Sequence, residues 1–365
     1  MKKRLESIDF VRGMSVLLLI PLHCMMMYAT LDTWQNSELG QFMQWVEKGS
    51  PVFMVVMGFS FVFSKRQKPY DLLLRGVKIL GIGYLLNFLK FNVPMVLGWF
   101  PEKLILANHL KVEEFQENML HFFLLGDILQ LAGFTLLFMA VLYKPLKNKW
   151  NILATALLIV LVSKELSGIR IGYGFVDYFL DIMWGNQYNV YFPLFPWMAF
   201  IFIGRFIGEL YLEDKYNTKR FYKKVLIYSG VLVAVGYGLC LYDYEYHFGD
   251  YYHLGAGGTL MLMGLNVFNF YLGHIASLVI KSKKIKAVVN YASKNVTAFY
   301  ILQWVFIDWG MAIFGFANLT QVPIMMIITV YILLTFSVLL ARDYVAKKSN
   351  TWFKWAGNKD VANVN

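Results

Sequence analysis

About ten apolar stretches, each long enough to cross a bilayer and each followed by a short charged connector, constrain this chain more than any other feature. They run near 10–31, 42–64, 70–91, 119–143, 150–167, 192–212, 221–242, 256–280, 288–315 and 322–345. Some contain Pro or Gly (Pro21, Pro51, Gly81, Gly83), which membrane helices tolerate better than soluble ones because neighbouring helices re-satisfy the freed backbone. The predicted fold is therefore an all-α integral membrane bundle of about ten transmembrane helices. Composition points the same way. The 365 residues are 58% hydrophobic and 16% charged, whereas soluble domains average about 45–50% and about 25%. No globular core of this length could hide that apolar surface.

The connectors set an orientation. Lys65/Arg66/Lys68, Lys144/Lys147/Lys149, the Lys215–Lys224 cluster, Lys281/Lys283/Lys284/Lys286 and Lys347/Lys348 alternate with acidic segments around Asp32, Glu113, Asp177 and Asp250. Under a ten-helix threading roughly four-fifths of the Lys and Arg fall on one side, so both termini are predicted cytoplasmic. The formal charge of +11 is explained by this retention, without a nucleic-acid partner. Cys24 and Cys240 both fall inside apolar runs, which excludes a disulfide framework and offers no metal-ligand spacing. The Lys2-Lys3-Arg4 start reads as the flank of a retained first helix, because Asp9 and Arg12 interrupt any signal-like apolar run. A single membrane domain is expected over 1–348 and a polar cytoplasmic tail over 349–365, with cell membrane as the location. Two outer segments, 92–118 and 168–191, exceed tight turns and are read as binding loops.

Ionisable groups inside a membrane usually face a bundle interior or water-filled cavity. Arg12 and His23 are eleven residues apart, which places them within about 20° on one helix face and about 16 Å apart along it. Asp9 lies one turn before Arg12. The residues alone leave two readings open. In one, Asp9–Arg12 is an interfacial ion pair and His23 bridges helices by a hydrogen bond. In the other, Arg12 belongs to an anion site and His23 is a general base, since imidazole titrates nearest neutral pH. Asp127 and Gln130 share a helix face at i, i+3, suited either to an inter-helix hydrogen bond or to a cation or substrate amine. Lys294 and Asn295 follow a basic cluster and read as a snorkelling end or a ligand contact. Arg75, Lys78, His121, Asn266, Asn269, His274, Gln303 and Asp308 complete the intramembrane polar set.

At these residues the chain resembles a known superfamily. Arg4-Leu5-Glu6-Ser7-Ile8-Asp9-Phe10-Val11-Arg12-Gly13 is similar to the opening of the transmembrane acyltransferases. The Arg12–His23 interval resembles the Arg-x10-His motif of the type-3 branch. Ser50 to Ser60, Gly126 to Gly133, Phe192 to Gly208 and Ser293 to Tyr300 resemble successive motifs of the heparan-α-glucosaminide N-acetyltransferase-like branch. Two positions depart from it: Gln303 replaces a late His, and Leu131 an Arg. The resemblance implies transfer of an acyl group, acetyl above all, from cytoplasmic acetyl-CoA as co-substrate to an extracytoplasmic glycan or amino-sugar acceptor, at a hydroxyl or an amine. It implies no metal, and a homodimer is compatible with it. On that reading Arg12, Arg75 and Lys78 hold the CoA phosphates, with Gln130, Lys294 and Asn295 as further donor contacts, and His23 and Asp127 are catalytic. A proton-coupled transporter of a glycan or lipid precursor is the alternative, using His23 and Asp127 as a relay; no internal two-fold repeat supports it.

Overall fold

The computed structural model describes residues 5–187 and 189–361, with side chains through residue 348. The predicted tail, 349–365, thus lies outside the described side chains. Among the described residues the chain is helical, and its β-pairing is limited to isolated bridges. The longer helices are α1 (Glu6–Tyr28), α2 (Glu38–Gly49), α3 (Val52–Phe61), α4 (Pro69–Asn87), α5 (Phe115–Leu124), α6 (Ile128–Val141), α7 (Lys149–Leu166), α8 (Gly174–Trp184), α9 (Leu194–Glu213), α10 (Thr218–Tyr242), α11 (Ala256–Val279), α12 (Lys283–Lys294), α13 (Val296–Phe314) and α14 (Gln321–Val361).

Among the described residues seven helices are long and apolar enough to cross a membrane, and all seven lie where spans are predicted: α1, α4 extended to Val96, α9, α10, α11, α13 and α14 to Lys348. The other three predicted spans differ for physical reasons. Segment 150–167 is the single helix α7, whose ends carry Lys149, Lys164 and Glu165. Segment 42–64 is divided into α2 and α3 at Ser50-Pro51, where Pro51 has no N–H to continue a helical ladder. Segment 119–143 is divided into α5 and α6 at Leu125-Gly126-Asp127. A further break at Asn295 separates basic α12 from apolar α13 inside the predicted 288–315 span.

Irregular backbone within a membrane persists only where its polar groups find partners. At the α2–α3 break, Tyr251 Oη donates to the Glu47 carbonyl at 2.9 Å and Asn266 Nδ2 to the Lys48 carbonyl at 3.1 Å. At the α5–α6 break, Asn87 Nδ2 donates to the carbonyls of Phe123 (3.0 Å) and Leu125 (2.8 Å), and Tyr178 Oη to that of Leu124 (3.0 Å). Gly126 bridges to the 168–191 segment: its N–H donates to Asn189 O at 2.8 Å and its carbonyl accepts from Tyr191 N at 2.9 Å. Both breaks are built features.

α1 runs through the middle of the bundle. Arg12 Nε donates to Ser293 Oγ of α12 at 2.9 Å near one end, and Tyr28 Oη to the Ile307 carbonyl of α13 at 2.6 Å near the other, so α12 and α13 together lie alongside it. Two apolar clusters result, one around α3, α9, α10 and α11, the other around α1, α13 and α14. In the first, α3 and α9 approach at backbone contact: a Cβ on Gly58 would sit 1.8 Å from Ile201 O, and one on Gly204 2.0 Å from Val55 O. Small residues on both faces permit such close membrane packing.

Candidate active site

Two cavities meet end to end in the seam between these clusters. One, of about 470 Å³, has Arg12, Ser64 and Arg75 among its lining residues. The other, of about 350 Å³, is lined by Tyr191, Phe192, Tyr251 and Tyr252 together with Glu47, Lys90, His23 and Asp127. The first is the basic cavity and the second the aromatic cavity. Leu19, Phe53, Met54, Ile128 and Tyr300 line both and form the neck between them.

The polar centre lies beside the neck. Asp127 ends the α5–α6 break and caps α6: Oδ1 accepts from Ile128 N at 2.7 Å, while Gln130 Oε1 accepts from Asp127 N at 3.3 Å. This capping box fixes the carboxylate so that Oδ2 faces Lys90 Nζ at 3.2 Å and Tyr300 Oη at 3.0 Å. Lys90 lies in a π-turn, Phe88–Asn92, that continues α4; such turns recur at functional sites. Its ammonium, buried among side chains, sits 4.4 Å from the Trp304 ring centre and 4.5 Å from that of Phe91. A buried cation is tolerated where a carboxylate and π-faces replace water.

His23 projects from α1 into the same cavity. Its ring stacks on Trp304 at 4.0 Å and meets Tyr300 edge-on at 6.4 Å. Nδ1 is buried and has no hydrogen-bond partner among the described residues. Tyr300 and Trp304 are four residues apart on α13, which puts both on one face. Asp308 continues that face by another turn; it is fully buried with both carboxylate oxygens unpartnered among the described residues.

The structure brings together some predicted site residues and separates others. His23 and Asp127 line one cavity, and Arg12 and Arg75 line the other. Arg12 Nη2 bonds Asp9 Oδ1 at 3.0 Å, the ion pair that i, i+3 spacing allows. Arg75 donates to neutral oxygens, Ser64 Oγ (3.3 Å) and the Arg66 carbonyl (3.0 Å). Lys78 is exposed and lines neither cavity. Gln130 Oε1 is occupied in the capping box, and its Nε2 is buried without a hydrogen-bond partner among the described residues. Asn295 accepts from Arg342 Nη2 at 2.7 Å and, with exposed Lys294, borders a separate shallow pocket that touches Arg12. His274 stacks on Tyr222 at 4.1 Å, away from both cavities. Gln303 is fully buried, and Leu131 lines the basic cavity.

Sequence reasoning missed Lys90, Trp304, Glu47 and the aromatic wall. Lys90 stands one residue from the end of a predicted helix, where a snorkelling lysine is ordinary. Its signal is that it sits between Asn87 and Asn92 in an otherwise apolar run.

A family model described as "Heparan-alpha-glucosaminide N-acetyltransferase, catalytic" matches residues 4–242, well over half of the chain. That stretch holds α1 to α10, and with them Arg12, His23, Arg75, Lys90 and Asp127. None of the curated proteins and none of the solved structures matches the chain. The match is to a catalytic domain and lends nothing to the transport reading.

Proposed function

Because the chain belongs to the heparan-α-glucosaminide N-acetyltransferase catalytic family, we propose that it is a membrane acetyltransferase that draws acetyl-CoA into the basic cavity and an acceptor sugar into the aromatic one. The observation that carries this reading is the shared neck: two cavities of different chemistry meet at Tyr300, beside His23 and Asp127. A donor and an acceptor entering from opposite ends would meet there without either passing the other.

The basic cavity suits the donor. Arg12 and Arg75 offer guanidinium groups for the phosphates, and its walls beyond them, Met57, Ile79 and Met139 among others, are apolar as an acyl-bearing arm requires. The aromatic cavity suits a sugar, with ring faces for its C–H surfaces and Glu47 and Asn108 for its hydroxyls or amine. With the termini cytoplasmic, as the basic connectors imply, the Arg12 end opens inward and the aromatic end opens through segments 92–118 and 168–191. Donor inside and acceptor outside is the arrangement such a transfer across a cell membrane requires.

The acceptor nitrogen or oxygen attacks the thioester carbonyl, forming a C–N or C–O bond. His23 takes the proton released by the acceptor, and the anionic Asp127 stabilises the resulting imidazolium. An ammonium has three donors; Lys90 spends one on Asp127 and can direct another at the negative charge building on the carbonyl oxygen. The C–S bond then breaks, and the CoA thiolate leaves with the proton that His23 returns. The test uses purified protein in nanodiscs with ¹⁴C-acetyl-CoA and glucosamine as probe acceptor. Wild type should label the sugar and His23→Ala should not. Labelling that survives unchanged in His23→Ala would sink the mechanism.

A further inference from the structure

We propose that Leu19 is an acyl-length gate: it shuts the transfer site off from a preformed apolar groove and so restricts the donor to a short acyl group. The inference rests on the acetyl-transfer reading above and adds to it the property that reading leaves open, the acyl chain.

A third cavity, about 330 Å³, lies between α1, the α2–α3 break and α11. Its walls are chiefly apolar, with Met14 and Leu18 on one side and Val46, Leu272 and Ala276 on the others. No step of the mechanism uses it. Leu19 lines this groove, the basic cavity and the aromatic cavity alike, and Ser50 lines the groove and the aromatic cavity. Leu19 also stands four residues before His23, which puts it about 6 Å below the imidazole on nearly the same face of α1. At 8% exposed it is a packed wall.

This placement commits the groove to one occupant. An acyl group presented beside His23 has a small alkyl end, and each further methylene must find apolar room. The basic cavity is taken by the rest of the donor, and the aromatic cavity by the acceptor. The remaining apolar space adjoining that turn of α1 is the groove, and Leu19 stands in the way. Its side chain is of the size that a few methylenes would replace. One methylene in a hydrophobic pocket is worth about 10- to 200-fold in discrimination, so this single contact is enough to set a donor preference.

The test measures transfer to glucosamine from acetyl-, butyryl- and hexanoyl-CoA by the full chain in nanodiscs, read as the ratio of longer to acetyl product. Wild type should favour acetyl. Leu19→Ala should raise the butyryl-to-acetyl ratio by tenfold or more, and the milder Leu19→Val should move it less in the same direction, which covers a loss of folding in the former. Filling the groove with Ala276→Phe should leave acetyl transfer by the wild type unchanged and return the Leu19→Ala ratio to the wild-type value. Acetyl transfer with an unshifted ratio in both Leu19 variants would overturn the gate and leave the groove as a seat for a membrane lipid. Absence of acetyl transfer by the wild type would instead overturn the functional reading on which the gate depends.

Discussion

The Lys90 ammonium meets Asp127 Oδ2 at 3.2 Å with both residues buried; Lys90 sits in the π-turn that continues α4, and Asp127 at the α5–α6 break in a segment that the hydropathy pattern draws as one helix. Removing one partner of such a pair strands the other charge, at a cost of about 3–5 kcal/mol. Lys90→Met and Asp127→Asn should each lose stability on that scale, whereas the double variant should lose clearly less than the sum. Denaturant titration of the detergent-solubilised protein reads all three. Strict additivity would show that the two residues are not energetically coupled.

His23 contributes little to holding the fold. Its Nδ1 has no partner among the described residues, and its main contact is the stack on Trp304, worth about 0.5–1.5 kcal/mol beyond burial. His23→Ala should therefore keep acetyl-CoA binding, seen as a ligand-dependent rise in Tm, while transfer falls by about 10²–10⁴. Loss of binding and transfer together would place His23 in a structural role.

Much of this was legible before any coordinates. Hydropathy located the spans because a lipid-facing helix must be apolar along its length, and the ends of α9, α10 and α11 lie within a few residues of their predicted bounds. The helical repeat placed Arg12 and His23 on one face, and the structure has them lining successive cavities. The breaks were hidden. Gly126 and Ser50 sit in runs whose average polarity is that of a helix, and the groups that satisfy the backbone at Gly126 and at Glu47 and Lys48, namely Asn189, Tyr191, Tyr251 and Asn266, are distant in sequence. The aromatic wall was hidden for a related reason: Tyr and Trp near membrane ends are expected for interfacial anchoring, so nothing local marks those that turn inward.

Arg75 and Lys78 are three residues apart on α4 and separate cleanly by placement: Arg75 lines the basic cavity and Lys78 is exposed outside it. A hydrogen bond to a charged group is worth about 1.5–3 kcal/mol. Arg75→Ala should raise the KM for acetyl-CoA by tenfold or more with little change in kcat, and Lys78→Ala should leave it within about twofold. Equal effects from the two would mean that the donor responds to net charge near the mouth and not to a defined contact.

The connector from Asp243 to Gly255 carries Tyr251 and Tyr252 into the aromatic cavity and is braced outside the membrane by Asp250. A hydrogen bond from His253 Nδ1 at 2.6 Å, aided by the backbone N–H of Tyr252, holds the Asp250 carboxyl below the ordinary carboxylate range. A carboxyl depressed on folding stabilises above its unfolded value of about 3.9 and loses that contribution as pH falls through the folded value. Hydrogen exchange in 249–255 should therefore loosen below about pH 4 beyond its intrinsic acid dependence. In Asp250→Asn that extra loosening should be absent, and its persistence there would assign it to another group.

The last brace works at a distance from the chemistry. Asp181 on α8 is fully buried and receives Arg170 through two guanidinium contacts, one of them Nε at 2.8 Å, and Asn189 Nδ2 at 2.9 Å. Asn189 in turn accepts the Gly126 N–H at 2.8 Å, next to Asp127. Segment 168–191 is thereby tied to the break that aims the Asp127 carboxylate, and it carries Tyr191 in the aromatic wall. Asp181→Ala leaves Arg170 and Asn189 without their acceptor; Arg170 is exposed and regains water, so the loss falls chiefly on the half-buried Asn189, about 1 kcal/mol. The consequence should fall on one side of the neck. Limited proteolysis within 168–191 should quicken and the KM for acceptor should rise several-fold, while the KM for acetyl-CoA, whose proposed site is the other cavity with Arg12 and Arg75, should stay near wild type. A matched rise in both KM values would mean that the two cavities deform together and that the neck is not a rigid divide.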